Sequence, residues 1–261
     1  MSVDYEEIAI EAARAGGRVL ARHFREGSLR VETKGRHDFV TEVDRRAEAA
    51  VLDVLRTRCP DHAVLAEEGF PQAAEAPWRW VVDPLDGTTN FIHGVPTFCV
   101  SVALEGPDGL AAAAIHDPVH AETFHAHAEG GARLDGTPIR VREVDDLHVA
   151  LLATGFPFRE VSRLPGYLRT FERFVRTSSG LRRAGSAALD LAFTACGRYD
   201  GFWEMGLSRW DIAAGTLLVR EAGGIVTDLV GGPDPLPSGD ILAAGPGLHG
   251  TMLAVTREGR D

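Results

Sequence analysis

Asp83 and Asp86 stand three residues apart in the run Trp80-Val81-Val82-Asp83-Pro84-Leu85-Asp86-Gly87-Thr88-Thr89-Asn90-Phe91, beside a glycine and two hydroxyls. Val81 and Val82 favour a strand buried on both faces, Pro84 cannot continue a ladder, and Gly87 permits the positive φ of a tight loop. The pattern predicts a buried strand that stops at Asp83, with both carboxylates converging at its carboxyl end. Two carboxylates in such a place repel each other and resist desolvation. A hard cation such as Mg²⁺, which prefers oxygen ligands, relieves both costs. The competing local reading is an Asx-turn in which Asp86-Gly87 closes a hairpin.

Other acids could join them. Val64-Leu65-Ala66-Glu67-Glu68-Gly69 reads as a short apolar strand ending in paired acids, locally no more than an exposed turn. Thr41-Glu42-Val43-Asp44 opens a helix with Thr41 as its cap, and the helix dipole alone favours Asp44 in the first turn. Gly185-Ser186 precedes a helix and leaves free amide N–H groups for a cap or an oxygen-rich ligand. Asp211 follows Trp210 in another first turn, where capping alone explains it.

The run Asp83-Pro84-Leu85-Asp86-Gly87-Thr88-Thr89-Asn90-Phe91 resembles the signature of the inositol monophosphatase family. Gly185-Ser186-Ala187-Ala188, Glu204-Met205-Gly206 and Trp210-Asp211 stand in the order and approximate spacing of that family's pattern. In combination these motifs are specific, although each fragment alone is not. The resemblance implies that Glu67, Asp83 and the Leu85 carbonyl hold one Mg²⁺, that Asp83, Asp86 and Asp211 hold a second, and that Glu67 with waters holds a weaker third. It implies catalytic roles for Asp44, Glu67 and Thr88, and substrate contacts from Asp86, Gly87, Thr88, Gly185, Ser186, Ala187, Glu204 and Asp211. The implied activity is Mg²⁺-dependent hydrolysis of inositol 1-phosphate or a related small polyol or sugar phosphate by metal-activated water, without a phosphoenzyme. The implied fold is α/β (α+β), a layered α-β-α-β-α sandwich with mixed and antiparallel sheets, and relatives are commonly homodimers.

Thr88-Thr89-Asn90-Phe91 favours the inositol or histidinol phosphatase branches over the nucleotide bisphosphate branch, where Gly-Thr-Lys-Glu-Phe is typical. Ser208 departs from the histidine of animal inositol phosphatases, so histidinol phosphate and fructose 1,6-bisphosphate stay open as substrates. A reading of another class is a non-catalytic regulatory protein that binds metal or sugar phosphate. Its mark would be a missing ligand, whereas Asp44, Glu67, Asp83, Asp86, Thr88 and Asp211 are all present. Neither the P-loop pattern nor Gly-x-Ser-x-Gly occurs.

The elements that must position these residues read as alternating strands and helices. Helical spacing covers residues 4–24, a second helix follows Thr41, and 27–38 is polar enough for an exposed loop near a phosphate. Strands are expected at 98–104, 111–116, 122–127 and 139–141, with a hairpin at Asp135-Gly136. His116, His120, His125 and His127 lack an accompanying zinc pattern and read as solvated hairpin residues. Further strands at 150–153, 200–205, 225–228 and 241–244 alternate with helices at 167–176, 187–195 and 210–222. Residues 1–150 form an N-terminal α+β portion carrying the metal loop and 151–261 a C-terminal α/β portion carrying substrate contacts, together one compact unit.

Composition sets the outer bounds. The 261 residues carry 27 Lys plus Arg against 38 Asp plus Glu, a formal charge of -11, which disfavours binding to a nucleic-acid phosphate backbone. Such an acidic chain acting on an anion needs metal to neutralise both. Residues 1–14 lack the pattern of a secretory signal, and no apolar run reaches the roughly 18 residues of a membrane span. Cys59, Cys99 and Cys196 are unpaired by any Cys-x-x-Cys spacing, which reads as reduced, cytoplasmic thiols.

Overall fold

The computed structural model describes residues 4–24, 31–35, 38–69, 76–158 and 160–259, with 31–41 described by backbone alone. Helix α1 (Tyr5–His23) starts where Asp4 Oδ1 accepts from the Glu7 N–H at 3.1 Å, and it buries Ile8, Ala9, Ala12, Ala13 and Leu20. Strands β1 (Val31–Gly35) and β2 (Asp38–Thr41) pair antiparallel, with Val31 opposite Thr41 and Thr33 opposite Phe39. Residues 31–35, expected in a loop, are therefore a strand. Val31 and Thr33 are β-branched, and the partner run Phe39-Val40-Thr41 has equally strong strand preference in sequence. Asp38, the last residue of that expected loop, begins β2, while residues 27–30 and 36–37 and the Thr41 side chain lie outside the described residues. Helix α2 (Glu42–Arg58) follows, with Glu42 and Asp44 in its first turn and Arg56 and Arg58 in its last, as the dipole prefers.

Strands β3 (Ala63–Ala66) and β4 (Arg79–Asp86), the short helix α3 (Thr88–Ile92), and strands β5 (Cys99–Gly106), β6 (Gly109–Asp117), β7 (Glu122–His127), β8 (Ala132–Leu134) and β9 (Thr137–Pro138) build a seven-stranded sheet in sequential order. Only the β3–β4 pair is parallel. Positive φ at Asp135 and Gly136 closes the β8–β9 hairpin. Residues 139–141 do not form the expected strand. Ile139 donates to Ala132 O, but Val141 donates to Ala222 O, so the backbone has already left the sheet.

The second sheet contains strand β10 (Leu151–Thr154), and after helix α4 (Leu164–Thr177) strand β11 (Gly180–Arg182). Helix α5 (Ala187–Ala195), strand β12 (Gly201–Glu204), helix α6 (Arg209–Glu221), strands β13 (Ile225–Thr227) and β14 (Ile241–Ala244) and helix α7 (Pro246–Glu258) complete the chain. The strand order is β11-β10-β12-β14-β13; β10 runs parallel to both neighbours and the other pairs are antiparallel.

Side-chain alternation stacks these elements into five layers. Trp80, Val82, Val100, Val102 and Leu104 pack against α1 and α2, while Val81, Cys99, Ala103, Ala113 and Ile115 face the opposite way onto α5 and α6. Ala153, Phe202 and Ala243 cover the other side of that helical layer. Leu152, Trp203 and Leu242 face Tyr167 of α4 and Leu248 and Met252 of α7. The order is α-β-α-β-α, as expected, with mixed sheets buried on both faces. Among the described residues no helix is long and apolar enough to cross a membrane.

The histidines depart from expectation. His125 Nδ1 lies 2.6 Å from Glu6 Oε1 of α1 and His116 Nδ1 lies 3.0 Å from Thr123 Oγ1, so α1 and the sheet enclose both rings. His120 and His127 remain about half exposed.

Gly87 joins β4 to α3 at φ +97, and a Cβ there would lie 2.8 Å from the Thr97 carbonyl oxygen. Gly87→Ala is expected to destabilise the protein by about 2 kcal/mol or more, since strain and overlap add. A thermal melt indistinguishable from wild type would contradict this.

Candidate metal and active site

Strand β4 continues through Pro84 to Asp86 instead of stopping at Asp83. Asp83 pairs with Ser101 and Asp86 with Cys99, so the register slips between them, and pairing to β3 ends at Val82. Pro84 thus occupies a bulge, where its missing N–H costs no ladder bond. The bulge re-aims the carboxylates. Asp83 Oδ1 accepts from the Leu85 N–H at 2.9 Å. Asp86 Oδ2 accepts from Ser186 Oγ at 2.6 Å and from the Ala188 N–H at 2.7 Å, at the start of α5. Ser186 also caps that helix by accepting from the Leu189 N–H, so one hydroxyl serves both purposes. Asp211, in the first turn of α6, accepts from the Ser208 N–H at 2.7 Å.

Two chain segments, the end of β4 and the start of α6, therefore bring carboxylate oxygens of Asp83, Asp86 and Asp211 within 4.8 Å of one another. Glu67 follows β3 onto the same cavity wall, its N–H donating to Val82 O and the next N–H, of Glu68, to Glu48 Oε2 of α2. An all-oxygen donor set of this kind suits Mg²⁺ and offers nothing to a soft metal. Burial first, then Glu67, Asp86 and Asp211, push the Asp83 carboxyl well above the ordinary range. Burial also raises Asp86, against the donors from Ser186, Ala188 and Ala187. A divalent cation would reverse both shifts by stabilising the charged forms.

Thr88 begins α3 beside this cluster. Its Oγ1 is 3.0 Å from the Leu85 carbonyl oxygen and 3.3 Å from Asp44 Oδ1, two acceptors for one hydroxyl proton. Asp44, almost fully buried on α2, reaches the cavity through Thr88.

A cavity of about 500 Å³ opens over these groups, and Gly87, Gly185, Ser186, Ala187 and Glu204 line it too. The structure thus gathers every site residue expected from sequence, with Asp44 standing behind the wall. Four further residues enter. Asn90 Nδ2 donates to Thr97 O at 2.7 Å and to Ala184 O at 2.9 Å, tying α3 to the loop before α5. Gly155 allows close approach to Glu204, since a Cβ there would lie 1.9 Å from Glu204 Oε1. The Arg183 guanidinium lies 5.4 Å from the ring centres of both Phe156 and Phe158. Asp190 reaches the wall from α5, and burial, with Glu204 and Asp86, pushes its carboxyl well up. Its sequence signal was a lone acid in the otherwise apolar stretch Ala187–Ala195.

Fold and site define a layered α/β protein whose carboxylates converge at a polar cavity as a set of oxygen donors that could hold a hard cation. The chain belongs to the inositol monophosphatase family, whose profile matches residues 3–260. It is 49% identical over 242 residues to the Nus factor SuhB of Pseudomonas aeruginosa, covering 90% of this chain and 89% of that protein. Among solved structures it is similar to the extragenic suppressor protein SuhB of Bartonella henselae, with a TM-score of 0.93, 39% identity and coverage of 97% and 98%. The inositol monophosphatase of Anabaena superposes with a TM-score of 0.86 at 37% identity, covering 97% and 95%.

The raised Asp83 pKa carries a sign. The folded chain holds a proton that the unfolded chain releases near pH 3.8, so this contribution to stability is present at low pH and lost as pH rises through the folded pKa. In chelator, Asp83→Asn is expected to melt above wild type at pH 7, with the gap closing towards pH 4. Mg²⁺ is expected to raise the wild-type melting temperature and to leave the variant nearly unmoved. Equal melting of the two proteins across that range would remove the electrostatic burden assigned to Asp83.

Proposed function

We propose that the protein is a Mg²⁺-dependent phosphate monoester hydrolase acting on inositol 1-phosphate or a related small polyol or sugar phosphate. The observation that carries this reading is the convergence of Asp83, Asp86 and Asp211 at the floor of a cavity whose wall also presents Thr88 and Glu204. Histidinol phosphate and fructose 1,6-bisphosphate are the alternative substrates. The residues would hold about two to three Mg²⁺ ions: Glu67, Asp83 and the Leu85 carbonyl for one, Asp83, Asp86 and Asp211 for a second, Glu67 for a third.

Hydrolysis of such esters needs up to about 10²¹-fold acceleration, on the order of 28 kcal/mol, which a single general base worth roughly 10²- to 10⁴-fold does not supply. Bound Mg²⁺ would supply charge neutralisation on the phosphoryl oxygens, activation of water and stabilisation of the departing alkoxide. The chain supplies the rest. Asp44 draws on the Thr88 hydroxyl and leaves its oxygen lone pairs to orient a water for attack. The N–H groups of Gly87 and Thr88 would meet the phosphate, and Gly185, Ser186, Ala187 and Glu204, which line the same cavity, would meet the substrate's hydroxyls. Asp211 contributes from a position fixed by its own capping bond. A homodimer in the cytoplasm and a single unit built from residues 1–150 and 151–261 complete the proposal.

A second reading is favoured by the 49% identity to a protein named Nus factor SuhB, and gives the chain that role as well. The expectation of no nucleic-acid partner rests on charge alone and stays a proposal.

Phosphate release with Mg²⁺ from inositol 1-phosphate, histidinol phosphate and fructose 1,6-bisphosphate tests the first reading. Asp86→Asn is expected to lower turnover by about 10³-fold or more while the protein still folds. Near-normal activity of that variant would remove the metal assignment, and no release from any ester by wild type would favour a non-catalytic binding protein. Restoration of cells lacking their own SuhB by both wild type and Asp86→Asn is expected if the Nus role is independent of hydrolysis; restoration by neither would remove the second reading.

A further inference from the structure

Helix α5 carries a single charged side chain among its nine residues, and that side chain lies on the cavity wall with only 1% of its surface exposed. The backbone of Asp190 is engaged: its N–H donates to Ser186 O at 3.0 Å and its carbonyl accepts from Thr194 Oγ1 at 2.8 Å. Its Oδ1, by contrast, meets no hydrogen-bond partner among the described residues. Buried carboxylate oxygens are nearly always satisfied, because water is lost without replacement otherwise. Asp86 on the same wall differs, because its carboxylate receives a hydroxyl and a backbone donor.

We propose that Asp190 is a specificity-determining residue whose Oδ1 accepts a hydrogen bond from a hydroxyl of the polyol portion of the substrate. The inference rests on the phosphatase reading above. The same wall presents Glu204, another acceptor, and Arg183, whose guanidinium supplies the local positive charge. Arg183 makes no hydrogen bond to Oδ1, so the missing element is a donor from the ligand, and on the reading above the ligand carries hydroxyls. Polyol hydroxyls match it. A site built to bind a hydroxyl discriminates strongly against an analogue that lacks one, because its own buried oxygen is then left unpaired.

The test compares kcat/KM on myo-inositol 1-phosphate with that on cyclohexyl phosphate, the same ring without hydroxyls, in Mg²⁺. Wild type is expected to prefer the inositol ester, and Asp190→Ala to shrink that preference by roughly tenfold or more, chiefly through KM. Asp190→Asn, which keeps an oxygen acceptor, is expected to hold the preference within about threefold of wild type. Without substrate, Asp190→Ala is expected to melt at or above the wild-type temperature, since no hydrogen bond of Oδ1 is lost. Hydrolysis of both esters with an unchanged preference in Asp190→Ala would overturn the inference alone, as would a melting temperature several degrees lower, which would assign the carboxylate to the fold. Failure of wild type to hydrolyse these two esters, histidinol phosphate or fructose 1,6-bisphosphate would overturn the phosphatase reading and this inference with it, whereas hydrolysis of fructose 1,6-bisphosphate or histidinol phosphate alone would overturn this inference only.

Discussion

Like charges crowded into a place with little water are the constraint on which this molecule depends. Asp83, Asp86 and Asp211 hold their oxygens within 4.8 Å of one another, and Glu67 stands on the same cavity. No packing energy favours that arrangement. It persists because each aspartate is held by donors that belong to rigid elements: the Leu85 N–H in a bulge, the Ser186 hydroxyl and Ala188 N–H at a helix start, the Ser208 N–H in a capping box. Their raised proton affinities record the remaining cost, which a divalent cation would convert into binding energy.

The five-layer architecture follows from that need. The central helical layer of α5 and α6 is largely apolar where it meets the two sheets, and the start of α5 turns the Ser186 hydroxyl and the Ala188 N–H towards Asp86 of β4. Burying a helix between two sheets fixes its position tightly, because close-packed interiors do not slide. Asp86 can therefore come from the first half of the chain and receive its donors from the second, and Asn90 ties the same halves again through Ala184 O. The cavity lies where the two halves face each other, so neither half holds a complete site.

The residues that line the candidate cavity were largely legible in the sequence, and so were the main elements of the fold. Motif residues cluster because turns, caps and metal ligands each demand particular side chains at fixed spacing. What escaped did so for physical reasons. The extension of β4 through Pro84 depends on a bulge in its pairing with β5, and a bulge is a property of two strands. The 139–141 alternation looks like a strand but its backbone bonds to the end of α6. Helix α7 was hidden by Gly247 and Gly250, which weaken local helical preference while Leu248, Met252 and Val255 pack it against the second sheet. In sequence His116 and His125 look solvated, since nothing local announces that α1 crosses their strands.

By itself the sequence determined the identities and order of the acids, the turn at Gly87, the capping residues Asp4 and Ser186 and the alternation of strands and helices, because these depend on intrinsic backbone preferences and short-range hydrogen bonds. Only tertiary structure decided that Thr88 bonds to Asp44, that Asp86 is held by the start of α5, and that Asp190 lines the cavity with an oxygen left unpaired. Those facts join residues far apart along the chain, and their distances are set by how helices and sheets pack, which no local spacing encodes.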